Sequence, residues 1–397
     1  MFKFLYNILY TTLFIPVFLL LTKKKGYPLL LKDRFVLYKN NREKNYIWFH
    51  CASVGELKVA EPLIKHLQKK GNKILITFFS PRAVSFAKEN FPEAEIRALP
   101  FDLPFLIKKF IKIHQPKALY IVEEEFWLNL ITKSNKNGIP VVSINTRLSE
   151  KNLKFYKRLW FIYKDIFNSI KKFLVRSEED LKLLKNLVPM EKLKLCGDLK
   201  FLAPQTAKEI KLSIKRNPII ILGSTHNPEE KIFLDILPKL KKAFPNIAYI
   251  IAPRHLERVE EIENLIKERG FSYKKRSESN VVDTDVYILD TIGELKGAYK
   301  YGDLVFVGGT IADVGGHNVL EPACLGKKVL VGKNIYKIKS NANLLRKLGI
   351  LFFIEDINSL DRKIINLLKK DISPETIISK LKKLSKNIAK CYLKELK

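Results

Sequence analysis

Short apolar runs alternate with amphipathic segments along most of this chain of 397 residues. Residues 46–52 and 73–79 have the composition of strands, and an amphipathic helix at residues 57–69 joins them. Such alternation predicts βαβ units, that is, a parallel sheet covered by helices on both faces. The pattern weakens around residues 203–217 and restarts at Ile219. The sequence therefore predicts an α/β protein with two Rossmann-like domains in series.

The first 25 residues follow a different pattern. Residues 5–22 are almost uninterrupted apolar sequence, and lysines at positions 23–25 follow them. Eighteen residues are at the short end for spanning a bilayer, and no small-residue cleavage site precedes the lysines. Positive charge at this end favours a cytoplasmic location for the rest of the chain. We therefore expect residues 1–25 to be a permanent membrane anchor, either spanning the bilayer or embedded in its interface, and not a buried core helix. The first convincing sheet strand begins near Tyr46.

The formal net charge of +31 favours anionic partners, although much of the lysine could simply lie on solvated faces. The lysines are spread evenly, without the arginine-rich or aromatic-interleaved block of a dedicated nucleic-acid module. The four cysteines are widely scattered and have no zinc-site spacing. Their pattern indicates buried or incidental thiols in a reducing compartment.

A glycine-rich loop follows the apolar run at residues 304–307. It carries two glycine pairs and then three polar residues, namely Gly308, Gly309, Gly315, Gly316, His317, Asn318 and Glu321. Glycines let backbone N–H groups approach a ligand closely, and a helix start suits a phosphate. The segment fits a phosphate cradle. It fits equally well a tight turn in which Asn318 caps a helix and Glu321 is its capping-box partner.

Carboxylates follow two other predicted strands. Ser53 and Glu56 have the spacing of a capping box, so Glu56 could simply hold a helix start. Burial in a cleft could instead make Glu56 a general base. Three glutamates at residues 123–125 precede Phe126 and Trp127, so at least one of them should point inward.

Taken together, these segments resemble the bacterial Kdo transferase family. Its members move 3-deoxy-D-manno-octulosonic acid (Kdo) from CMP-Kdo to a lipid A precursor. The resemblance spans about residues 30–356 and rests on the segments 48–56, 123–129, 145–149, 219–226, 252–258, 290–295 and 306–322. It implies a GT-B fold, with a cleft between two Rossmann-like domains. The implied domains are a membrane anchor at 1–25, an acceptor-binding domain at 26–205 and a CMP-Kdo-binding domain with terminal helices at 206–397.

The resemblance also implies roles for individual residues. Glu56 becomes the catalytic base, and Arg254 the main donor contact, because a guanidinium suits phosphate and carboxylate groups. The implied acceptor-side residues are Ser53, Gly55, Glu123, Glu125 and Arg147. The implied donor-side residues are Ser224, Thr225, His226, Arg254, His255, Gly293, Glu294, Gly308, Gly309, Gly316, His317, Asn318 and Glu321. Three positions depart from the family pattern, namely Glu124 in place of threonine, Leu256 in place of proline, and the altered loop at residues 332–336.

The predicted function is inverting transfer of Kdo from CMP-Kdo to a sugar hydroxyl of a lipid A precursor, in lipopolysaccharide core biosynthesis. The expected location is the cytoplasmic face of the bacterial inner membrane, next to anionic lipids. No cofactor or nucleic acid is expected. No metal is expected either, because the one Asp-x-Asp pattern, at residues 283–285, precedes a strand instead of ending one. The alternatives are a GT-B enzyme using a UDP-sugar and a lipid acceptor, or a non-catalytic basic protein of the membrane surface.

Overall fold

A computed structural model describes residues 2–38, 44–203 and 209–396. The contacts divide the chain into two compact units, Met1–Ala203 with Lys386–Lys397, and Pro204–Ser385. Each unit contains a seven-stranded sheet in which all the strand pairs are parallel. The predicted α/β class with two Rossmann-like domains is therefore confirmed.

The sheet of the first unit is built from short runs rich in β-branched and aromatic residues, which favour buried strands. Its strands are β1 Ile47–Cys51, β2 Ile74–Phe78, β3 Glu95–Ala98, β4 Ala118–Val122, β5 Val141–Thr146, β6 Lys172–Val175 and β7 Leu193–Leu195. They are arranged in the order β3-β2-β1-β4-β5-β6-β7. In this register Phe49 lies between Ile76 and Tyr120.

Ten helices belong to the described part of the first unit before the chain passes to the second unit. They are α1 Phe2–Leu9, α2 Ile15–Lys24, α3 Leu31–Arg34, α4 Val54–Lys69, α5 Ala83–Asn90, α6 Pro104–His114, α7 Leu128–Lys136, α8 Glu150–Arg158, α9 Trp160–Ser169 and α10 Glu178–Leu184. A π-helical turn at Tyr10–Phe14 joins α1 to α2. Short 3-10 turns lie at Met190–Lys192 and Leu199–Leu202.

The second unit repeats the same plan. Its strands are β8 Ser213–Ile214, β9 Ile219–Thr225, β10 Ala248–Pro253, β11 Tyr273–Lys275, β12 Val281–Val282, β13 Val286–Ile288, β14 Leu304–Val307, β15 Lys328–Val331 and β16 Leu351–Phe353. Its helices are α11 Glu229–Ala243, α12 Val259–Glu268, α13 Leu295–Ala298, α14 Leu320–Cys324, α15 Lys339–Lys347, α16 Leu360–Lys369 and the start of α17 Pro374–Glu395. Three 3-10 turns complete it, at Leu256–Arg258, Tyr299–Tyr301 and Ile357–Ser359. The main sheet has the order β11-β13-β10-β9-β14-β15-β16, and β12 pairs with β8.

The two strand orders fix where ligands are expected. In the first unit the order reverses between β1 and β4, and in the second unit it reverses between β9 and β14. Open parallel sheets bind ligands outside the carboxyl ends of the strands at such a switch point. The segments after these four strands are therefore the first places to look for a site.

The end of α17 corrects two expectations from the sequence. The predicted division assigned the whole of residues 206–397 to the C-terminal domain, but Lys386–Lys397 packs with the first unit. Cys391 forms a disulfide with Cys196, and the Tyr392 hydroxyl donates a 2.9 Å hydrogen bond to the carbonyl of Gly197. The interpretation of all four cysteines as thiols is therefore wrong for Cys196 and Cys391.

The N-terminal helix is a candidate membrane span that also packs against the first unit. Lys3–Lys24 is long and apolar enough to cross a membrane. Tyr10, on one face, is buried in the core of the unit, while Leu13 on another face is 62% exposed. The Tyr6 hydroxyl donates a 2.8 Å hydrogen bond to the buried carboxylate of Asp102. The helix is therefore a candidate anchor, as expected, but the expectation that it is not a core helix is corrected, because Tyr10 and Ile15 belong to the core of the first unit.

Candidate functional site

Glu56 lies at the switch point of the first unit, in the first turn of α4. The Ser53 hydroxyl accepts a 3.4 Å hydrogen bond from the backbone N–H of Glu56. The Glu56 carboxylate reaches back and accepts a 2.5 Å hydrogen bond from the N–H of Ala52. Gly55 is exposed beside them. The helix-capping role that the sequence left open for Glu56 is therefore present in the structure.

The surroundings of Glu56 also give it the properties of a base. Burial raises the pKa of Glu56 from 4.5 to about 8, and the charges of Glu125 and Glu123 add to this effect. The hydrogen bond from Ala52 and the charge of Arg147 oppose it. A carboxyl group whose pKa lies near the working pH is well suited to proton transfer. The capping and base interpretations are therefore compatible.

The three glutamates after β4 each have a different partner. Glu123 has a positive φ of 60° and accepts from Arg147 Nε at 2.9 Å. Glu124, which burial leaves with a raised pKa, accepts from the side-chain amide of Asn152 at 3.0 and 3.2 Å. Arg147 remains half-exposed, with 46% of its side-chain surface accessible. The local hydrogen bonding around the unusual Glu124 is thus supplied by α8.

Glu125 is held by two ring nitrogens. Its Oε2 accepts a 2.9 Å hydrogen bond from Trp127 Nε1 and lies 3.7 Å from His50 Nε2. Burial acts to raise the pKa of Glu125, but these contacts outweigh it and lower that pKa. Glu125 therefore stays ionised and is a source of the repulsion that Glu56 experiences. We call Glu56, Glu123, Glu124 and Glu125 the carboxylate cluster.

His50 is a residue that the sequence interpretation missed. It is fully buried in β1, and its Nδ1 lies 3.0 Å from the hydroxyl of Thr77. The Thr77 hydroxyl also accepts a 2.8 Å hydrogen bond from Trp48 Nε1. A histidine inside an otherwise apolar strand was the available signal, since such a side chain needs polar partners.

At the switch point of the second unit, the chain turns sharply after β9. Ser224 has a positive φ of 57°. Thr225 is fully buried, and its hydroxyl has no hydrogen-bond partner among the residues that the structure describes. The backbone N–H of His226 donates a 2.9 Å hydrogen bond to the carboxylate of Glu229. The turn therefore presents the His226 side chain beside the end of β14.

Glu229 organises the glycine-rich loop, and sequence reasoning gave it no such role. Its carboxylate is fully buried and accepts from the N–H groups of four consecutive residues after β14. The donors are Gly309, Thr310, Ile311 and Ala312, at 2.9, 3.0, 2.9 and 3.1 Å. These bonds act to lower the pKa of Glu229 but do not outweigh burial, which raises it. The loop is thus wrapped around a side chain of the protein itself.

The glycine N–H groups expected to form a phosphate cradle have partners within the protein at three positions. The N–H of Gly308 donates to Gly223 O at 2.8 Å, and that of Gly316 donates to Gly309 O at 2.7 Å. The N–H of Gly309 is bonded to Glu229. Gly308 is needed for packing, because a Cβ there would lie 2.3 Å from the carbonyl oxygen of Ser224. Anion contacts at these three glycines therefore need side-chain donors.

Three histidines form a cluster next to the loop. His226 Nε2 lies 2.8 Å from His317 Nε2, and the two rings are parallel within 2°. His255 packs against His226 with ring centroids 5.6 Å apart. Burial, together with the charges of His226, Arg254 and Lys337, lowers the pKa of His317 to about 4. A bound anion would relieve this repulsion between cationic groups, so the cluster is suited to phosphate or carboxylate.

Arg254, predicted to contact the donor, and the nearby Arg258 differ in their freedom to bind an anion. Arg258 makes a bidentate contact with the fully buried Glu230, at 2.8 and 3.1 Å, so it is a structural residue. Arg254 is exposed, and no hydrogen bond of its guanidinium is found within the described ranges. Its backbone N–H donates to Thr225 O at 3.1 Å, which fixes the main chain beside the histidines. Arg254 therefore has a guanidinium free to contact an anion.

Asn318 and Glu321 contact each other at the start of α14, but the N-cap of that helix is Val319 and not Asn318, as the capping interpretation expected. Asn318 Oδ1 accepts from the N–H of Leu320 at 3.0 Å, and its amide donates to Glu321 at 3.0 Å. Glu294 accepts a 2.9 Å bond from Arg276, and the adjacent Gly293 has a positive φ of 85°. These predicted donor residues thus have internal structural roles.

Metal-ligand spacing was not expected from the sequence. The two carboxylates of the Asp-x-Asp pattern are paired with lysines, Asp283 with Lys274 at 2.7 Å and Asp285 with Lys241 at 2.6 Å. In the ranges that the structure describes, no group of three or more His, Cys, Asp or Glu side chains could hold a metal ion.

Comparison with solved structures agrees with the fold. The chain is similar to the glycotransferase of kitacinnamycin, with a TM-score of 0.56, 13% identity, and coverage of 89% of this chain and 99% of that one. It is also similar to a UDP-GlcNAc 2-epimerase from Neisseria meningitidis, with a TM-score of 0.52, 15% identity, and coverage of 87% and 100%. Such similarity identifies a GT-B type fold and does not assign a substrate.

Sequence comparison identifies the family. Residues 30–203 match the family model described as 3-deoxy-D-manno-octulosonic-acid transferase. A 3-deoxy-D-manno-octulosonic acid transferase from Aquifex aeolicus is 34% identical over 89% of this chain and 93% of its own length. One from Haemophilus influenzae is 32% identical over 90% and 88%. The chain therefore belongs to the 3-deoxy-D-manno-octulosonic acid transferase family of glycosyltransferases.

Proposed function

We propose that this protein transfers Kdo from CMP-Kdo to a sugar hydroxyl of a lipid A precursor, with inversion at the anomeric carbon. One observation supports the proposal in addition to family membership. Glu56 lies at the switch point of the first sheet, and its pKa of about 8 allows proton transfer near neutral pH. The histidines and Arg254 at the switch point of the second sheet supply the matching anion contacts.

In the proposed reaction, Glu56 takes the proton of the attacking hydroxyl. A carbon–oxygen bond forms at the anomeric carbon, while the bond to the phosphate oxygen of CMP breaks and that oxygen keeps the electron pair. One displacement from the opposite face inverts the configuration. The acceptor-side residues in this proposal are Ser53, Gly55, Glu123, Glu125 and Arg147. Arg147 is suited to an anionic group of the acceptor, because part of its guanidinium side chain is exposed.

On the donor side, Arg254 and the histidine cluster stabilise the charge of the departing phosphate. Arg254 contributes a guanidinium free of internal contacts within the described residues, and Thr225 contributes a buried hydroxyl. Glu321 is proposed to accept hydrogen bonds from the ribose hydroxyls. The further donor-side residues of the proposal are Ser224, His226, His255, Gly293, Glu294, Gly308, Gly309, Gly316, His317 and Asn318. Gly308, Gly309 and Gly316 act by shaping the loop, since their N–H groups are engaged elsewhere.

The N-terminal helix fits this function. Its length and composition would hold the enzyme at the inner membrane, and the lysines at 23–25 favour the cytoplasmic face and anionic lipids. The proposed acceptor is itself a membrane lipid. An enzyme held at the membrane would meet it without a soluble carrier.

The direct test supplies the full chain in detergent with CMP-Kdo generated in place and a tetra-acylated lipid A precursor. We expect product masses that increase by whole Kdo residues, and the number of increments gives the number transferred. UDP-sugars in parallel reactions should give no product. Transfer from a UDP-sugar, or no transfer from CMP-Kdo by a folded protein, would overturn the proposal.

A further inference from the structure

An apolar groove of about 710 Å³ lies between the N-terminal helix and α9. Its volume is in the range of pockets that bind small ligands. Apolar side chains line its two walls, namely Leu9, Leu13 and Val17 on the N-terminal side and Leu159, Phe161 and Ile162 on the α9 side. It has no part in the chemistry described above.

The groove opens where a membrane-embedded helix would meet hydrocarbon. Leu9 and Leu13 remain 51% and 62% exposed, although they belong to the helix long enough to span a bilayer. Lys3, at one end of that helix, pairs with Asp165 of α9 at 2.7 Å, and lysines follow its other end. Charged ends on either side of an apolar stretch are typical of a segment in the bilayer. The occupant that fits this groove is therefore a lipid chain.

Trp127 contacts both the wall of the groove and the carboxylate cluster. Tyr10 and Phe14 line the groove, and their rings lie 6.2 and 6.0 Å from that of Trp127. Trp127 Nε1 donates the hydrogen bond that holds Glu125. A chain seated in the groove would thus have its polar head beside the carboxylates. This neighbourhood favours an acyl chain of the acceptor over a bulk phospholipid.

We propose that the groove binds one acyl chain of the glycolipid acceptor and so presents its sugar to the carboxylate cluster. The inference rests on the proposed function for the identity of the acceptor. The groove then acts as a specificity element, because it distinguishes an acylated sugar from the same sugar without chains.

Photolabelling tests occupancy without relying on turnover. The probe is the acylated precursor carrying a diazirine on one acyl chain, bound to the full-length protein in phospholipid vesicles. We expect labelling on residues 159–162 and on the groove face of the N-terminal helix, competed by unlabelled precursor and not by excess phospholipid. Competition by phospholipid, or label spread evenly around the helix, would contradict the proposal. Because labelling needs no donor, the result stands even if Kdo transfer fails.

The second test measures transfer rates in a variant whose groove is filled by a larger side chain. Ile162→Trp places bulk on the α9 wall, and Leu20→Trp is the matched control, since Leu20 is 68% exposed and does not line the groove. We expect Ile162→Trp to lower kcat/KM for the acylated acceptor at least tenfold and to leave the de-acylated sugar unaffected. The control should change neither value. Unchanged transfer to the acylated acceptor by Ile162→Trp would refute a role for the groove.

Discussion

Replacing Glu56 by glutamine should have opposite effects on activity and on stability. The amide keeps the shape of the side chain and can still accept the hydrogen bond from Ala52, but it cannot take a proton. Turnover should fall by roughly 10²–10⁴, the usual contribution of a general base. Stability at alkaline pH should rise, because the variant avoids placing a charge in a buried site next to Glu125.

The direction of the stability change follows from the linkage between proton binding and folding. Between pH 4.5 and about 8 the folded state keeps a proton on Glu56 that the unfolded state has lost, so stability falls as pH rises through this window. The full difference corresponds to at most about 5 kcal/mol, at 1.36 kcal/mol per pKa unit. Partial solvent exposure and the loss of about 1 kcal/mol of capping reduce the net gain to roughly 1–3 kcal/mol.

The assay is thermal unfolding in detergent from pH 5 to 9, with transfer rates measured on the same samples. Glu56→Gln should melt roughly 3–8 °C above the unaltered protein at pH 8.5, and the advantage should vanish near pH 5. Glu61→Gln is the control, because it removes another carboxylate of α4, one paired with Lys65 at the helix surface. A Glu56→Gln variant that is less stable at every pH and transfers normally would show that Glu56 is only a cap.

Four further outcomes test the rest of the site. Arg254→Ala should weaken CMP binding, measured by calorimetry, by about 1.5–3 kcal/mol, and Arg254→Lys should recover part of this loss. Arg258→Ala should mainly lower the melting temperature. An unchanged CMP affinity in Arg254→Ala would exclude Arg254 from the donor site. Glu229→Ala should cost more than about 3 kcal/mol in chemical unfolding, because four backbone N–H groups lose their acceptor, and a neutral result would contradict the loop description. Removing residues 2–25 should lower the melting temperature, since the N-terminal helix fills part of the core of the first unit. An unchanged melting temperature would mean that this helix does not stabilise the unit. CMP binding near pH 5.5 should be accompanied by proton uptake, because the bound anion raises the depressed pKa of His317. Calorimetry in buffers of different ionisation enthalpy measures this uptake, and a binding enthalpy that is the same in all buffers would contradict the prediction.

Most strands could be predicted because they are apolar on both faces. The strands that were missed lie at sheet edges, where one neighbour is lacking and polar residues are tolerated. In β3 the sequence Glu-Ile-Arg-Ala gives no apolar run, and Arg97 pairs instead with Glu95 and Asp33. At one edge of the second sheet, β16 is only three residues long. Fold class could thus be predicted from the central strands alone.

The site was predictable where a motif is local and not where it depends on distant contacts. The capping spacing of Ser53 and Glu56 is visible in the sequence, and the structure contains that contact. Glu229 lies 80 or more positions before the loop that it holds, so no local pattern indicates its role. The glycine pattern correctly indicated a close approach of backbone, and the neighbours within the protein are Ser224 and the Glu229 carboxylate.

The buried carboxylate of Glu229 has a thermodynamic consequence for donor binding. A loop that closes around its ligand spends part of the binding free energy on its own ordering. Here an anion that is part of the chain already fixes that loop, through four of its N–H groups. In the proposed donor complex, the ligand would meet residues whose conformational entropy was already lost during folding, so ordering these residues would cost it no binding free energy.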